Sequence, residues 1–175
     1  MNLLRSENRS GRGQALIEFA LVLPLLFLLI LNVVNFGGML YAWITVANAA
    51  RAGAQYLMMG VSYVNRTGKP DFSTVISRVT EELAPLPNSG SSTLTNIKVC
   101  MNNNNVITCT GSGGSSPPND PENSGAVGTY IVGTVDVTYT YTPYINAWSF
   151  PSLKIYLTTP PTAIHRQAVM RMAGD

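Results

Sequence analysis

The chain has 175 residues, and its 11 basic and 9 acidic residues leave a formal net charge of +2. This length allows one modest hydrophobic core, and so weak a charge balance favours neither nucleic acid nor an acidic substrate as a partner. Only 11% of the residues are charged, whereas 46% are hydrophobic; soluble domains usually carry about a quarter charged residues. The composition therefore predicts a membrane segment joined to a domain with a polar, uncharged surface.

An apolar stretch near the N-terminus predicts a single membrane-spanning helix. From Phe19 to Tyr41 the only strongly polar residues are Asn32 and Asn35. These 23 residues, at about 1.5 Å per residue, would cover a hydrocarbon core of about 30 Å with some room for tilt. We therefore expect membrane lipid around this part of the chain.

The charges on either side of the stretch predict its orientation. Three arginines and one glutamate precede it, namely Arg5, Arg9, Arg12 and Glu7. The next positive charge after it is Arg51. Positively charged flanks stay on the cytoplasmic side of a membrane. We therefore expect the N-terminus in the cytoplasm and the rest of the chain outside.

Two simpler interpretations of the stretch have to be weighed. A secretory signal peptide would have the same flanks, and Ala47 and Ala49 stand in an A-x-A arrangement before Ala50. However, the apolar run is about twice the 7 to 15 residues expected of the hydrophobic region of a signal peptide. A permanent signal anchor is the stronger alternative, and only Glu18 argues against it.

Glu18 is a carboxylate without a visible partner at the start of the apolar stretch. At the bilayer centre such a charge costs about 2.5 to 3.5 kcal/mol, and less towards the edge, so it normally persists because it has a partner or a role. A cut between Gly13 and Gln14 would create an α-amino group about one helical turn from Glu18, or within reach of it in a neighbouring subunit. Our hypothesis is that the cut supplies the missing cation.

The residues around this position resemble the prepilin-peptidase site of type IV pilin-like proteins. In GQALIEF, Gly13 precedes the cut before Gln14, Glu18 becomes the fifth mature residue and Phe19 the aromatic sixth. More narrowly, residues 13–55 are similar to the TadE-like pseudopilins of tight-adherence (Flp-type) pilus systems, through EFALVLP, NFG and NAARAGA. One departure is Asn35, which stands where such proteins often carry a second glutamate.

The resemblance implies a structural protein, not an enzyme, that helps to assemble a pilus or a related secretion apparatus. Its implied partners are a prepilin peptidase, other pilins or pseudopilins and the inner-membrane assembly platform, with no small-molecule substrate or cofactor. Its implied location is the bacterial cytoplasmic membrane or the pilus. The chain would divide into a cytoplasmic leader peptide (1–13), a TadE-like transmembrane and helical spine segment (14–59) and an extracytoplasmic α+β domain (60–175).

The predicted long helix contains a proline and a stripe of small residues. Pro24 frees the carbonyl of Ala20 from its helical hydrogen bond, which predicts a break in the form of a bend or a short melted turn. Such a break either helps the subunit to leave the membrane or is a tolerated kink. The stripe would pack against another subunit or under the protein's own sheet; it consists of Gly38, Ala42, Ala49 and Gly53.

A second, shorter helix is predicted after a loop from Gly60 to Pro70. Asp71 is a suitable N-cap and Pro85 closes the segment. Apolar residues recur between them at helical spacing, namely Phe72, Val75, Ile76, Val79 and Leu83. From Pro85 onward the sequence PLPNSGSS predicts a linker.

The only two cysteines are predicted to form a disulfide. If Asn104 and Asn105 make a two-residue turn, Cys100 lies directly opposite Cys109 in a hairpin, at a Cα separation of about 4.5 Å that suits a disulfide. An extracytoplasmic location agrees with this bond. Two cysteines and the distant His165 make neither a four-ligand metal site nor a nucleophile with a neighbouring base.

The remainder of the chain predicts an antiparallel sheet. A long loop from Thr110 to Gly128 precedes three strands at Thr129 to Thr142, Leu153 to Leu157 and Ala163 to Met172. With the cysteine hairpin they make a sheet of four or five strands, so the predicted fold class is α+β with the N-terminal helix as its spine. The expected inward face of the first strand carries Ile131, Val135, Val137, Tyr139 and Tyr141.

The external domain predicts no catalytic centre, because it has few carboxylates and one histidine. We expect His165 to occupy an exposed position on the sheet. An alternative function is a permanently anchored binding module for a glycan or an envelope protein. Its candidate aromatic residues, which sheet core and strand propensity explain equally well, are Tyr130, Tyr139, Tyr141, Tyr144, Trp148, Phe150 and Tyr156.

Overall fold

The computed structural model describes residues 10–63, 71–103, 106–114, 130–145, 149–150 and 155–173. Two helices come first, α1 (Ser10–Tyr63) and α2 (Phe72–Leu83). Six strands follow: β1 (Thr95–Asn103), β2 (Val106–Gly111), β3 (Tyr130–Tyr141), β4 (Ser149–Phe150), β5 (Ile155–Tyr156) and β6 (Thr162–Ala173). The predicted α+β class, with a long apolar N-terminal helix, a short second helix and an antiparallel sheet, is confirmed.

Helix α1 runs for 54 residues without interruption. It is the one helix among the described residues that is long and apolar enough to cross a membrane. It passes through Pro24 in helical conformation, so the predicted melted turn is absent there and only the bend stays a prediction. It also continues through Gly60 to Tyr63, so the predicted loop start at Gly60 is wrong; residues 64–70 of that loop lie outside the described residues.

Helix α2 begins at its predicted cap. The Asp71 carboxylate accepts hydrogen bonds from the backbone N–H of Ser73 at 3.0 Å and from the hydroxyl of Thr74 at 2.7 Å. The apolar stripe points inward, with Val75, Val79 and Leu83 buried. Because Asp71 satisfies helix-terminal donors, the helix starts there rather than one turn later.

The segment predicted as a linker after Pro85 is an ordered series of turns. Leu86 is only 3% exposed, and the hydroxyl of the fully buried Tyr139 donates to the carbonyl of Pro87 at 2.7 Å. Backbone hydrogen bonds close successive turns from Leu83 to Thr95. The prediction was wrong because PLPNSGSS has the composition of a linker while its one leucine packs into the core.

Four antiparallel strands form the main sheet in the order β2-β1-β3-β6. Strand β3 is central and residues 131–137 are buried on both faces. The predicted strand from Leu153 to Leu157 is not part of this sheet. Its described part, β5, pairs with β4 in a separate two-stranded sheet.

The chain forms two compact units, Met1–Met39 with Pro143–Pro160, and Leu40–Thr142 with Pro161–Asp175. In the second unit, a Cβ atom on Gly53 of α1 would collide with Val79 of α2 and Val135 of β3. A Cβ atom on Gly133 of β3 would likewise collide with Leu57 of α1. Ala42 and Ala49 are buried as well, so this part of the small-residue stripe packs inside the protein's own fold.

Candidate processing site and membrane segment

Gly13 lies in the first turn of α1, three residues after Ser10. A Cβ atom built on Gly13 has no neighbour within 4 Å, so its backbone is open to solvent. The first N–H groups of a helix have no partner inside the helix, the first turn of α1 has no acidic residue, and glycine lowers helix stability by about 1 kcal/mol relative to alanine. No other part of the described chain therefore obstructs the backbone at Gly13.

Glu18 lies four residues, about one helical turn, after Gln14. It is exposed, as are its neighbours Ile17 and Phe19. Neither the Arg78–Glu81 ion pair nor the His165–Asp136 contact involves it. Side chains four residues apart on a helix have Cβ atoms about 5 to 6 Å apart. A positive charge on the nitrogen of Gln14 would therefore lie within reach of the Glu18 carboxylate.

The surface of α1 beyond Glu18 is apolar on all sides. From Phe19 to Ile30 the large hydrophobic side chains other than Leu28 are about half exposed or more, and Leu31 is the first that is buried, at 8%. Such an exposed apolar cylinder suits lipid or a neighbouring helix. Its members are Phe19, Leu21, Val22, Leu23, Leu25, Leu26, Phe27, Leu29 and Ile30.

The two asparagines in the apolar stretch bind a distant part of the first unit. The Asn35 carboxamide is fully buried; its Nδ2 donates to the Ile145 carbonyl at 2.7 Å and its Oδ1 accepts from the Ile145 N–H at 3.1 Å. Asn32 Nδ2 donates to the carbonyls of Leu28 at 3.0 Å and Leu157 at 2.9 Å. Sequence reasoning missed these contacts, although a polar residue in an apolar helix is itself a signal that a partner exists.

The predicted disulfide is present. Cys100 of β1 and Cys109 of β2 are directly paired, with a Cα–Cα distance of 4.1 Å and a bond between their sulfurs. All residues of β2 are exposed, so pairing with β1 and this bond hold the strand at the sheet edge. The turn residues Asn104 and Asn105 lie outside the described residues.

His165 is half exposed on β6, as expected, but it has a partner that the sequence did not reveal. Its Nε2 lies 2.8 and 2.7 Å from the two carboxylate oxygens of Asp136, whose side chain is only 2% exposed. Across the described part of the chain, no group of three or more His, Cys, Asp or Glu residues is placed to hold a metal ion. The half-exposed imidazole of His165 thus lies over the buried carboxylate of Asp136.

Of the seven candidate aromatic residues of the alternative function, three have described side chains, and two of these three are buried. Tyr139 and Tyr141 are fully buried in the sheet core, whereas Tyr144 is 56% exposed. The side chains of Tyr130, Trp148, Phe150 and Tyr156 lie outside the described residues. The second unit has instead an open hollow of about 550 Å³ near Trp43 and Arg51, where the guanidinium of Arg166 lies 3.8 Å above the Trp43 ring.

Comparison with known proteins finds a similarity in the N-terminal segment. The family model described as TadE-like protein matches residues 13–55, the same segment that the resemblance covers. No curated protein and no solved structure matches the chain. The match includes Gly13, Glu18, Asn35 and the whole small-residue stripe, and it does not extend to α2 or the sheet.

Proposed function

We propose that this chain is a pilin-like, TadE-type structural protein that is cut between Gly13 and Gln14 by a prepilin peptidase. It takes part in assembling a tight-adherence (Flp-type) pilus or a related secretion apparatus. The observation that carries the proposal is the exposed carboxylate of Glu18, one turn after Gln14; Glu18 is the only charged residue of α1 between Gly13 and Ala50. This pair of positions falls inside the TadE-like segment.

The physical basis of the proposal is charge pairing in a medium of low dielectric. An unpaired carboxylate facing lipid is unfavourable by several kcal/mol at the bilayer centre. Cutting before Gln14 creates a protonated amine, and an ion pair with Glu18 would offset that cost. Within one chain, the ion pair would neutralise the new N-terminal amine. Between two chains, it would fix the axial register of neighbouring helices.

The proposed location is the bacterial cytoplasmic membrane, with the N-terminus in the cytoplasm and the second unit outside. The Cys100–Cys109 bond supports this side for the sheet, because disulfides persist in oxidising compartments. The proposed partners are the prepilin peptidase, other pilins and the inner-membrane assembly platform. The anchored binding module is the weaker reading, because the burial of Tyr139 and Tyr141 removes two members of its aromatic face.

Two substitutions separate cutting from assembly. Gly13→Val places a branched side chain where the peptidase must approach the backbone, so the unprocessed form should accumulate. Glu18→Leu removes the unpaired charge, so the protein should reach the membrane at least at the parental level yet fail to enter the pilus apparatus. Ile17→Leu is the matched control, because Ile17 is equally exposed beside Glu18 and carries no charge.

The readouts are membrane level, N-terminal sequence and recovery of the protein with pilus components. Loss of processing in Gly13→Val and loss of assembly in Glu18→Leu are the expected results. Wild-type assembly of Glu18→Leu would show that the carboxylate is not the assembly contact. A full-length N-terminus in the parent protein would overturn the processing proposal itself.

A further inference from the structure

A segment of the first unit is tied to the apolar helix by the side chains of Asn32 and Asn35. We propose that this segment, residues 143–145 and 155–160, here called the strap, rests on the membrane surface opposite the N-terminus. It thereby limits the lipid-facing part of α1 to residues 13–31. The inference requires only that α1 crosses a membrane; it depends neither on processing nor on a role in a pilus.

The two asparagines hold both ends of the strap. Asn35 exchanges two hydrogen bonds with the backbone of Ile145, of 2.7 and 3.1 Å, and its side chain is fully buried. Asn32, one turn closer to the N-terminus, donates to the carbonyl of Leu157 at 2.9 Å. A carboxamide supplies the donor and the acceptor that one residue's backbone needs, whereas a carboxylate at position 35 would lack the donor.

The strap contains backbone that hydrocarbon does not accommodate. Residues 143–145 and 157–160 are neither helical nor paired in a strand. Irregular backbone at membrane depth occurs only where protein or water covers it, and Tyr144, Leu157 and Pro160 of the strap are exposed. The level of Asn32 on α1 therefore lies at the edge of the hydrocarbon core or beyond it.

The length of α1 agrees with this boundary. Exposed apolar side chains extend from Leu16 to Ile44, which is about 42 Å at 1.5 Å per residue and exceeds a hydrocarbon core of about 30 Å. From Gly13 to Leu31 the helix measures about 27 Å, close to that thickness. The strap thus replaces the span predicted from Phe19 to Tyr41 by one nearer the N-terminus, residues 13–31. This span leaves Arg12 at the opposite membrane surface.

The strap also has the chemistry of a membrane interface. Tyr144 is 56% exposed and Leu157 is 39% exposed; Tyr144 directly precedes Ile145, which Asn35 binds, and Asn32 binds the Leu157 carbonyl. In the sequence, Pro143–Pro160 contains four aromatic residues and a single charge, Lys154. Tyrosine combines an apolar ring with a polar tip and is enriched where hydrocarbon meets headgroups. The occupant we assign to this surface is therefore the headgroup and upper acyl region of the bilayer.

Cysteine labelling of the full-length protein in native membranes tests the boundary. The described chain has no free cysteine, so Leu26→Cys, Phe36→Cys and Ile44→Cys each introduce one reactive thiol at an exposed position of α1. A water-soluble maleimide is added to membranes opened to both faces, which makes the result independent of orientation. Measured along the helix axis, Phe36 lies about 7.5 Å beyond residue 31, outside the span proposed here, and about 7.5 Å before residue 41, inside the span predicted from hydropathy.

We expect Phe36→Cys to react within about twofold of Ile44→Cys, and Leu26→Cys at least about tenfold more slowly, because thiols in hydrocarbon are shielded from the reagent. If Phe36→Cys is as slow as Leu26→Cys, the strap does not set the boundary. If Leu26→Cys reacts as fast as Ile44→Cys, α1 does not cross the membrane and the inference fails with it. Neither failure bears on whether Gly13–Gln14 is cut.

A spin label at Tyr144→Cys tests the lipid contact. The accessibility of the label to oxygen and to a water-soluble nickel complex should be that of a label at the membrane interface. A label at Glu81→Cys on α2 should have the accessibility of a label in water. Equal aqueous behaviour of both labels would overturn the contact, and so would low accessibility to both reagents, which indicates a protein neighbour. Asn35→Leu should release the Tyr144 label from the interface, whereas Thr45→Val, whose hydroxyl bonds only the Tyr41 carbonyl of its own helix, should not.

Discussion

Gly53 of α1 faces Val79 of α2 so closely that a Cβ atom at position 53 would have no space, and Val135 of β3 closes the same position from the sheet. Gly37, earlier on the same helix, has no neighbour within 4 Å of such an atom. One helix therefore carries a glycine required by packing and a glycine that packing does not require. The two positions make a matched pair.

We predict that Gly53→Ala lowers the free energy of unfolding by about 1 to 3 kcal/mol, because overpacking outweighs the gain in helix propensity. Gly37→Ala should leave it unchanged or raise it by up to about 1 kcal/mol. Denaturant unfolding of the full-length protein in detergent, followed by circular dichroism, measures both. Equal stability of the two variants would mean that α1 does not pack between α2 and β3 as described.

The disulfide should stabilise the hairpin more than the whole fold. Cys100 and Cys109 are nine residues apart, and the chain-entropy estimate for so short a loop is about 2 to 3 kcal/mol. Replacing both cysteines by alanine should cost no more than this, and hydrogen exchange should accelerate first in β2. Non-reducing peptide mass spectrometry should find the two residues linked in protein from its native compartment; free thiols there would contradict the predicted location.

Helix α2 should have a pH-dependent cap. The hydroxyls of Ser73 and Thr74, together with the backbone N–H of Ser73, stabilise the carboxylate and lower the pKa of Asp71 below its usual 3.8. Because the pKa is lower in the folded state, the cap stabilises fully above pH 3.8 and is lost as the pH falls through the lowered value. Amide exchange at residues 73–75, corrected for its intrinsic pH dependence, should show this loss in the parent and not in Asp71→Asn. The same profile in both proteins would exclude Asp71 as its cause.

The orientation of the chain can be tested with reporter fusions. A reporter that is active only outside the cytoplasm should work after Asp175 and should fail before Arg5, because the arginines precede the apolar stretch. Replacing Arg5, Arg9 and Arg12 together should disturb this orientation more than replacing Glu7. Activity of the fusion placed before Arg5 would reverse the assignment.

The features that could be predicted from the sequence depend on neighbouring residues. The cap at Asp71, the buried stripe of α2 and the pairing of Cys100 with Cys109 each follow from spacings of fewer than a dozen residues, for which helix and hairpin geometry are known. The loop start predicted at Gly60 was wrong because the local sequence does not show the tertiary packing at that end of α1. Glycine only weakens a helix by about 1 kcal/mol, and the packing of Leu57 and Met58 near Gly133 holds that end of α1 in place.

The features that could not be predicted depend on distant residues. Asn35 meets Ile145 across 110 positions and Asn32 meets Leu157 across 125, and nothing local selects those partners. Asp136 occupies a buried strand whose other residues are strand formers, so its contact with His165 has no sequence signature.

The mature N-terminus tests the central claim most directly. The protein should be isolated from the membranes of the cells that make it, and its N-terminal peptide identified by mass spectrometry, with Gly13→Val as the uncut reference. Our account predicts a chain that begins at Gln14, with Glu18 as its fifth residue. A parent protein that still carries residues 1–13 would contradict this account and would favour a permanent signal anchor.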